Sequence, residues 1–482
     1  MVEMKSLNEK KQIQLAEEEI KKYASIVESD PNRLRYHLMP PVGLMNDPNG
    51  LIYWKGTYHV FYQWMPFATT HGAKFWGHYT SRNLIHWERQ APALAPSEWF
   101  DRNGCYSGSA VDNDGVLTLF YTGNVKDDQG MRHTYQCMAI SNDGLHFEKK
   151  GVVIHLPDGY TAHFRDPKVW KHENKWYMVI GAQSEQLDGK AVLFRSDDLM
   201  HWEHIGAMAG GEDGNFGYMW ECPDVFRLSG KDVLIVCPQG LQPEGMHYQN
   251  VYQAGYFVGQ LNYETGQYVH GTFTELDRGF EFYAPQTMVD EHGRRVMIAW
   301  MGLPDQDEDK HPTIHYRWVH ALTLPRELIL IGDKLYQRPI EQLQLLRSDE
   351  VHHPNVFLQK EVRQFDGVKG KTVELLLKHI DGKGVLSIHI QNNVSFSYDF
   401  EQKVATLERE SFARNGMKEK RQCLLSQLHT IHMFIDTSSI EIFLNDGEEV
   451  FTARFFTKEE NEHISFQTNA EASFHLSKWK LC

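Results

Sequence analysis

The sequence is short of several things, and each shortage narrows the field. It contains no run of about 20 apolar residues, so no segment reads as a membrane-spanning helix. It lacks a basic excess: 64 Asp and Glu outnumber 49 Lys and Arg for a net charge of -15, the reverse of a nucleic-acid binder. Six cysteines (Cys105, Cys137, Cys222, Cys237, Cys423 and Cys482) are spread over 482 residues with no CxxC pair. That pattern fits neither a zinc or redox motif nor a disulfide framework. The opening MVEMKSLNEKKQIQLAEEEIKKY is charged throughout and has no apolar stretch of the signal-peptide kind. These absences lead to the expectation of a cytoplasmic protein that engages neither membrane nor nucleic acid.

Helical periodicity is also scarce. Residues 8 to about 28 read as a helix, with Leu15, Ile20, Tyr23 and Ile26 near helical spacing. From there to about residue 340, short β-rich runs dominate. Aromatics are abundant, with 12 Trp, 21 Tyr and 26 Phe, enough for a large core. Such rings also stack on the apolar faces of sugars.

The β-rich runs repeat. YHVFYQW, LTLFYTG, KWYMVIGA, DVLIVCPQ and RRVMIAWM are each preceded by a turn and a second strand-like segment. Those upstream segments align on Pro48, Ser109, Pro167, Pro223 and Pro285, in steps of 61, 58, 56 and 62 residues. Downstream, SRNLIHWE, SNDGLHFE and RSDDLMHWE form a third recurring element, whose aromatics are expected to pack between repeats. A period near 60 with several strands per unit predicts a five-bladed β-propeller. Beyond residue 350 alternation returns, and Asn445-Asp446-Gly447 marks a hairpin, so a β-sandwich is expected. The all-β organisation expected is an N-terminal helical extension (1–32), the propeller (33–325), a linker (326–349) and a C-terminal β-sandwich (350–482).

In a propeller the inner strands begin around one mouth of a central channel. The aligned prolines mark those starts, and Asp47, Asp166 and Glu221 stand beside them in blades one, three and four. Blades two and five offer Ser107 to Ser109 and Ala284. Each carboxylate has an ordinary reading: Asp47 as a turn residue in NDPNG, Asp166 as the ion partner of Arg165, Glu221 as a strand-end charge. Three of them in register point instead to a shared task, since like charges are costly to bring together. Glycoside hydrolysis uses one carboxylate as nucleophile or base and one carboxylic acid as proton donor. Glu221, beside Met219 and Trp220, suits the acid, with Asp47 and Asp166 ionised. Metal ligation by the trio is another reading, though no further ligand cluster accompanies it.

The ordered motifs MNDPNG, FYQWMP, FWGH, YSGSA, FRDPK and WECPD resemble those of the family 32 glycoside hydrolases, the invertase, levanase and inulinase family of β-fructofuranosidases. The resemblance runs from about residue 33 to the C-terminus and includes LPREL at 324–328 and DTSSIEIFLNDGEEVF. PPVGLMNDPNGLIYWKG and HGAKFWGHYTS are most similar to bacterial intracellular members acting on sucrose 6-phosphate. FYQWMP stands where many invertases have YQYNP.

The resemblance implies a five-bladed propeller with a β-sandwich and a retaining mechanism without cofactor or metal. It implies Asp47 as nucleophile, Glu221 as acid/base and Asp166 as transition-state stabiliser. It also implies a fructose pocket drawn from Asn46, Pro48, Asn49, Gln63, Trp76, Tyr106, Ser107, Arg165 and Trp300. The expected partner is a small sugar, sucrose 6-phosphate or sucrose. An invertase or exo-fructan hydrolase without phosphate preference, a fructosyltransferase and a non-catalytic sugar-binding propeller remain as alternatives. Lys74, His71, Arg132 and His133 are candidates to meet a phosphate. A homodimer through the sandwich is a further expectation.

Overall fold

In the computed structural model, residues 6–211, 216–457 and 461–482 are described. The first five residues of the expected N-terminal extension lie outside them. Among the described residues, no helix is long and apolar enough to cross a membrane.

Five antiparallel sheets of four or five strands follow one another along the chain. Their inner strands are Gly43–Trp54, Cys105–Asn113, Tyr160–His172, Met219–Leu228 and Tyr283–Val289. Each inner strand touches the next, and the fifth touches the first, so the ring closes as a five-bladed propeller. Trp318–Val319 returns to pair in parallel with Gly43 and Leu44, tying the last blade to the first. Two six-stranded sheets form the C-terminal sandwich, with an aliphatic and phenylalanine core between them.

The alignment on proline has a structural cause. Every inner strand breaks register at or just before the aligned residue: between Met45 and Pro48, Cys105 and Gly108 (ahead of Ser109), Arg165 and Lys168, Glu221 and Asp224, and Tyr283 and Gln286. Proline carries no N–H for a ladder and is tolerated where a ladder is interrupted. A bulge turns side chains out of strand alternation. Asp166, Cys222 and Ala284 take positive φ of 67°, 48° and 48° within these breaks. Such φ is uncommon for a residue with a Cβ and gathers at functional sites.

The third recurring element is a turn. Asn83, Asp143 and Asp198 each accept two backbone N–H groups from residues two and three further on. The aromatic at its end packs between blades, as expected: Phe147 against Phe61, Trp202 against Phe120. The histidines do not. His146 and His201 face solvent and pair with the turn aspartates.

The N-terminal helix spans Leu7–Glu28, capped by Ser6. Its packed face is Ile13, Ala16, Ile20, Tyr23 and Val27, at steps of three and four residues. Leu15 and Ile26, expected on that face, lie off the stripe and are exposed. The stretch expected as a linker is largely blade. Arg326–Ile331 and Lys334–Pro339 complete the fifth sheet, and the short helical turn Glu341–Leu346 makes the passage to the sandwich.

That passage is locked by buried charge. Arg326, in the LPREL segment and fully buried, donates to Glu441 of the sandwich through Nε (3.2 Å) and Nη2 (2.6 Å) and to Asp277 through Nη1 (3.1 Å). His37, just before the first blade, bridges Asp436 (2.8 Å) and Glu441 (3.0 Å). Burial alone would lower the His37 pKa, but its hydrogen bonds to the two carboxylates raise it.

Candidate active site

The bulges aim Asp47, Asp166 and Glu221 into one cavity of about 490 Å³ at the mouth of the ring. Asn46, Gln63, Tyr106, Ser107, Arg165 and Trp300 line it with them. Pro48, Asn49 and Trp76, expected in the pocket, stand behind its wall. Asn49 is fully buried and accepts the Gly108 N–H (3.3 Å). The buried Trp76 indole donates to the Tyr106 carbonyl (3.0 Å), which fixes the tyrosine. Their part is support of the wall, because adjacent strands cover them.

Each carboxylate is held differently. Asp47 accepts from Ser107 Oγ (2.5 Å) and Asn46 Nδ2 (3.0 Å), and Asn46 is itself fixed by Lys74 Nζ (2.8 Å). Asp166 accepts the Cys222 N–H (3.0 Å), and its own N–H donates to Thr122 Oγ1 (3.0 Å). The Cys222 thiol reaches both aspartates, 3.9 Å from Asp47 Oδ2 and 3.6 Å from Asp166 Oδ2. Glu221 Oε1 accepts Arg165 Nε (2.9 Å) and Nη2 (2.7 Å), and Oε2 accepts Gln239 Nε2 (2.7 Å) and Tyr283 Oη (2.7 Å).

These partners set the proton affinities. Burial pushes Asp47 up, with Ser107 opposing and the Glu221 charge adding. Burial pushes Asp166 up to about 7 against the pull of Arg165, with Glu221 and Asp47 adding to the rise. Burial also acts to raise Glu221, but the Arg165 charge and the Tyr283 hydrogen bond outweigh it and hold the carboxyl below the usual glutamate range. This corrects the expectation of a raised Glu221 between two ionised aspartates. Arg165 is the reason: it sits on the glutamate of the next blade and not only beside Asp166. Burial lowers Lys74 to about 7, which weakens its charge on Asp47.

Sequence reasoning missed Cys222, Gln239 and Tyr283. Tyr283 immediately precedes Ala284, the blade-five residue at the aligned position, and it is the tyrosine that reaches in. Cys222 stands inside WECPD, next to the glutamate. Gln239 gave no signal of its own; it lies opposite Met219 in the register. Among the described residues, no group of three or more His, Cys, Asp or Glu could hold a metal ion.

Three carboxylates with distinct partners, converging in a polar cavity at a propeller mouth, define a glycosidase site. A family model described as the glycosyl hydrolases family 32 N-terminal domain matches residues 37–339, and its C-terminal counterpart matches 342–480. The chain belongs to glycoside hydrolase family 32 and is a glycosidase. It is 55% identical to a sucrose-6-phosphate hydrolase of Bacillus subtilis (strain 168), over 97% of this chain and 98% of the relative. It is 45% identical to the enzyme of that name from Salmonella typhimurium, over 89% of each. Among solved structures, the Lactobacillus gasseri sucrose-6-phosphate hydrolase superposes with a TM-score of 0.87 at 32% identity, covering 97% of this chain and 96% of that one. A Bombyx mori GH32 β-fructofuranosidase gives 0.85 at 35% identity, covering 98% of each.

Proposed function

We propose that the chain is a retaining β-fructofuranosidase that cleaves sucrose 6-phosphate, and sucrose with it, releasing fructose and glucose 6-phosphate or glucose. The observation that carries this is the convergence of Asp47, Asp166 and Glu221 in one cavity, each on its own blade. The relatives named sucrose-6-phosphate hydrolase supply the substrate class.

Asp47 attacks the anomeric carbon of the fructosyl unit while Glu221 gives its proton to the departing oxygen. The carbon–oxygen bond to the hexose breaks and a fructosyl ester on Asp47 forms. Glu221, now ionised, takes a proton from water, whose oxygen attacks the same carbon and frees Asp47. Asp166, held by the Cys222 N–H, stabilises the oxocarbenium-like transition state through ring hydroxyls. Ser107 and Asn46 keep Asp47 in place. In the ligand-free site burial holds both aspartates up and Arg165 holds Glu221 down, the reverse of what this step needs. Sugar hydroxyls donating to the aspartates stabilise their anions, and loss of water raises Glu221, so the working state belongs to the complex.

We place the protein in the cytoplasm. All six cysteines are free thiols and five are buried, which fits a reducing compartment. A homodimer through the sandwich is supported by exposed Phe357 and Val362 near its edge strands; a single-chain mass by light scattering overturns it.

The test is kcat/KM for sucrose 6-phosphate and sucrose side by side, with the first-formed fructose anomer followed by NMR. Release of β-fructose before mutarotation is the expected result. Inversion, or cleavage of neither sugar, overturns the reading.

A further inference from the structure

The four basic side chains that sequence reasoning offered to a phosphate are not equivalent in the structure. Lys74 Nζ is buried and committed to Asn46 (2.8 Å). His71 pairs with Glu308 (3.1 Å), and His133 with Asp127 (3.2 Å). Arg132 has no ion-pair partner among the described residues, and neither does Lys126, a residue the sequence did not single out.

Lys126 and Arg132 end the paired strands Val116–Lys126 and Arg132–Ser141 of blade two, and their register sets them directly opposite each other. Like charges facing across an antiparallel pair destabilise it. The carboxylate next in sequence does not relieve them. Asp127 accepts the Gln129 and Met131 N–H groups (2.9 and 2.8 Å) in the hairpin turn and faces His133. In a chain of net charge -15, two adjacent cations without a carboxylate are out of pattern.

Their place is the active cavity, which both line together with Asn103 and Asn124. Thr122, Asn124 and Lys126 share one face of their strand by alternation. Thr122 holds the Asp166 N–H (3.0 Å), so this face begins at the catalytic carboxylates. Four residues at about 3.3 Å each carry it roughly 13 Å outward to Lys126, a span that a long lysine side chain and a hexose phosphate close together. Arg132 marks which side of the cavity this is. Its charge acts on His163, whose Nδ1 accepts from Arg165 Nη1 (3.0 Å), and Arg165 holds Glu221. The side of the acid/base is the side on which the leaving group departs. Asn103 uses its Oδ1 for the Lys126 N–H (2.7 Å), which leaves its amide N–H₂ as a neutral donor there.

We propose that Lys126 and Arg132, with Asn103 beside them, form a phosphate subsite on the leaving-group side that selects a hexosyl leaving group phosphorylated on its 6-hydroxyl. This rests on reading the cavity as a β-fructosidase site. Two cations and an amide suit a phosphate dianion, for which arginine is the geometric match and lysine the point charge.

The test is the ratio of kcat/KM for sucrose 6-phosphate to that for sucrose, in the wild type, Lys126→Gln, Arg132→Gln and the double variant. Competitive inhibition by glucose 6-phosphate against glucose gives a binding readout, and circular dichroism checks the fold. A hydrogen bond to a charged group predicts that the ratio falls about 10- to 100-fold for each cation removed. Glucose 6-phosphate inhibition should weaken in step, and Arg132→Lys should recover part of it. A wild-type preference for the phosphorylated sugar that survives in the double variant overturns this subsite and leaves the β-fructosidase reading intact. Equal wild-type rates on the two sugars overturn phosphate selection itself. Cleavage of neither sugar overturns both.

Discussion

Arg165 places Nε and Nη2 on a single oxygen of Glu221, Oε1, at 2.9 and 2.7 Å, although the two residues sit on different blades. The other glutamate oxygen is taken by Gln239 and Tyr283. The proposed acid/base therefore has both oxygens fully hydrogen-bonded in the ligand-free site, and Arg165 is the charge that holds its pKa down.

Arg165→Gln should raise the Glu221 pKa and shift the alkaline limb of the kcat profile to higher pH, because the limb reports loss of the catalytic proton. The acid limb of kcat/KM should rise too, since Arg165 also holds Asp166 down. Profiles that move in neither limb overturn the assignment of Arg165 as the control on both carboxylates.

Asp47→Asn and Glu221→Gln should each lose about three orders of magnitude or more in kcat on sucrose 6-phosphate, as removal of a nucleophile or an acid/base does. Thermal unfolding of Asp47→Asn should stay within a few degrees of the wild type. Glu221→Gln removes the charge that pairs with Arg165 and should melt lower, so circular dichroism at the assay temperature confirms that it is folded. Turnover near wild type in either variant sinks the roles of nucleophile and acid/base.

Asp166→Asn should stabilise the fold in a pH-dependent way while abolishing activity. Asp166 has a folded pKa of about 7 against 3.8 for an ordinary aspartate, so it is harder to ionise when folded. Its favourable contribution is present below the unfolded value and is lost as pH rises to about 7. The melting temperature of the variant should match the wild type near pH 4 and exceed it at pH 8. An equal difference at both pH values contradicts the raised pKa.

Arg326→Leu should destabilise the protein by about 3–5 kcal/mol, since it strands the buried carboxylates of Asp277 and Glu441. Burial already pushes Asp277 up, with Arg326 opposing, so the loss should shrink as pH falls and the stranded carboxyls protonate. Denaturant unfolding at pH 5 and pH 8 reads both effects.

Much of the fold was legible because a β-propeller writes its repeat into the chain. The prolines that align the blades mark the bulges, and the bulges aim the carboxylates, so Asp47, Asp166 and Glu221 could be found before any fold was seen. What stayed hidden depends on cross-blade distance. Nothing in FRDPK says that Arg165 reaches Glu221, and nothing in YAPQ says that Tyr283 does. The helix face failed for a different reason: Leu15 and Ile26 are more apolar than Ala16, yet the blade beneath accepts the small residue. Blade five was cut short because LPRELILI reads as a connector until its pairing with Arg295–Met301 is known.

The His37–Glu441 contact joins residues 404 positions apart in sequence. Translation runs in one direction, so His37 and Arg326 emerge well before Glu441, the carboxylate they share. Until residue 441 has been made, Arg326 has only Asp277 and His37 lacks one of its two carboxylates, so the buried charge network between propeller and sandwich is incomplete. Maturation of the site is thus tied to completion of a domain that, among the described residues, contributes no group to its lining. A nascent chain arrested before residue 441 should be open to protease and inactive, and one released after it should close.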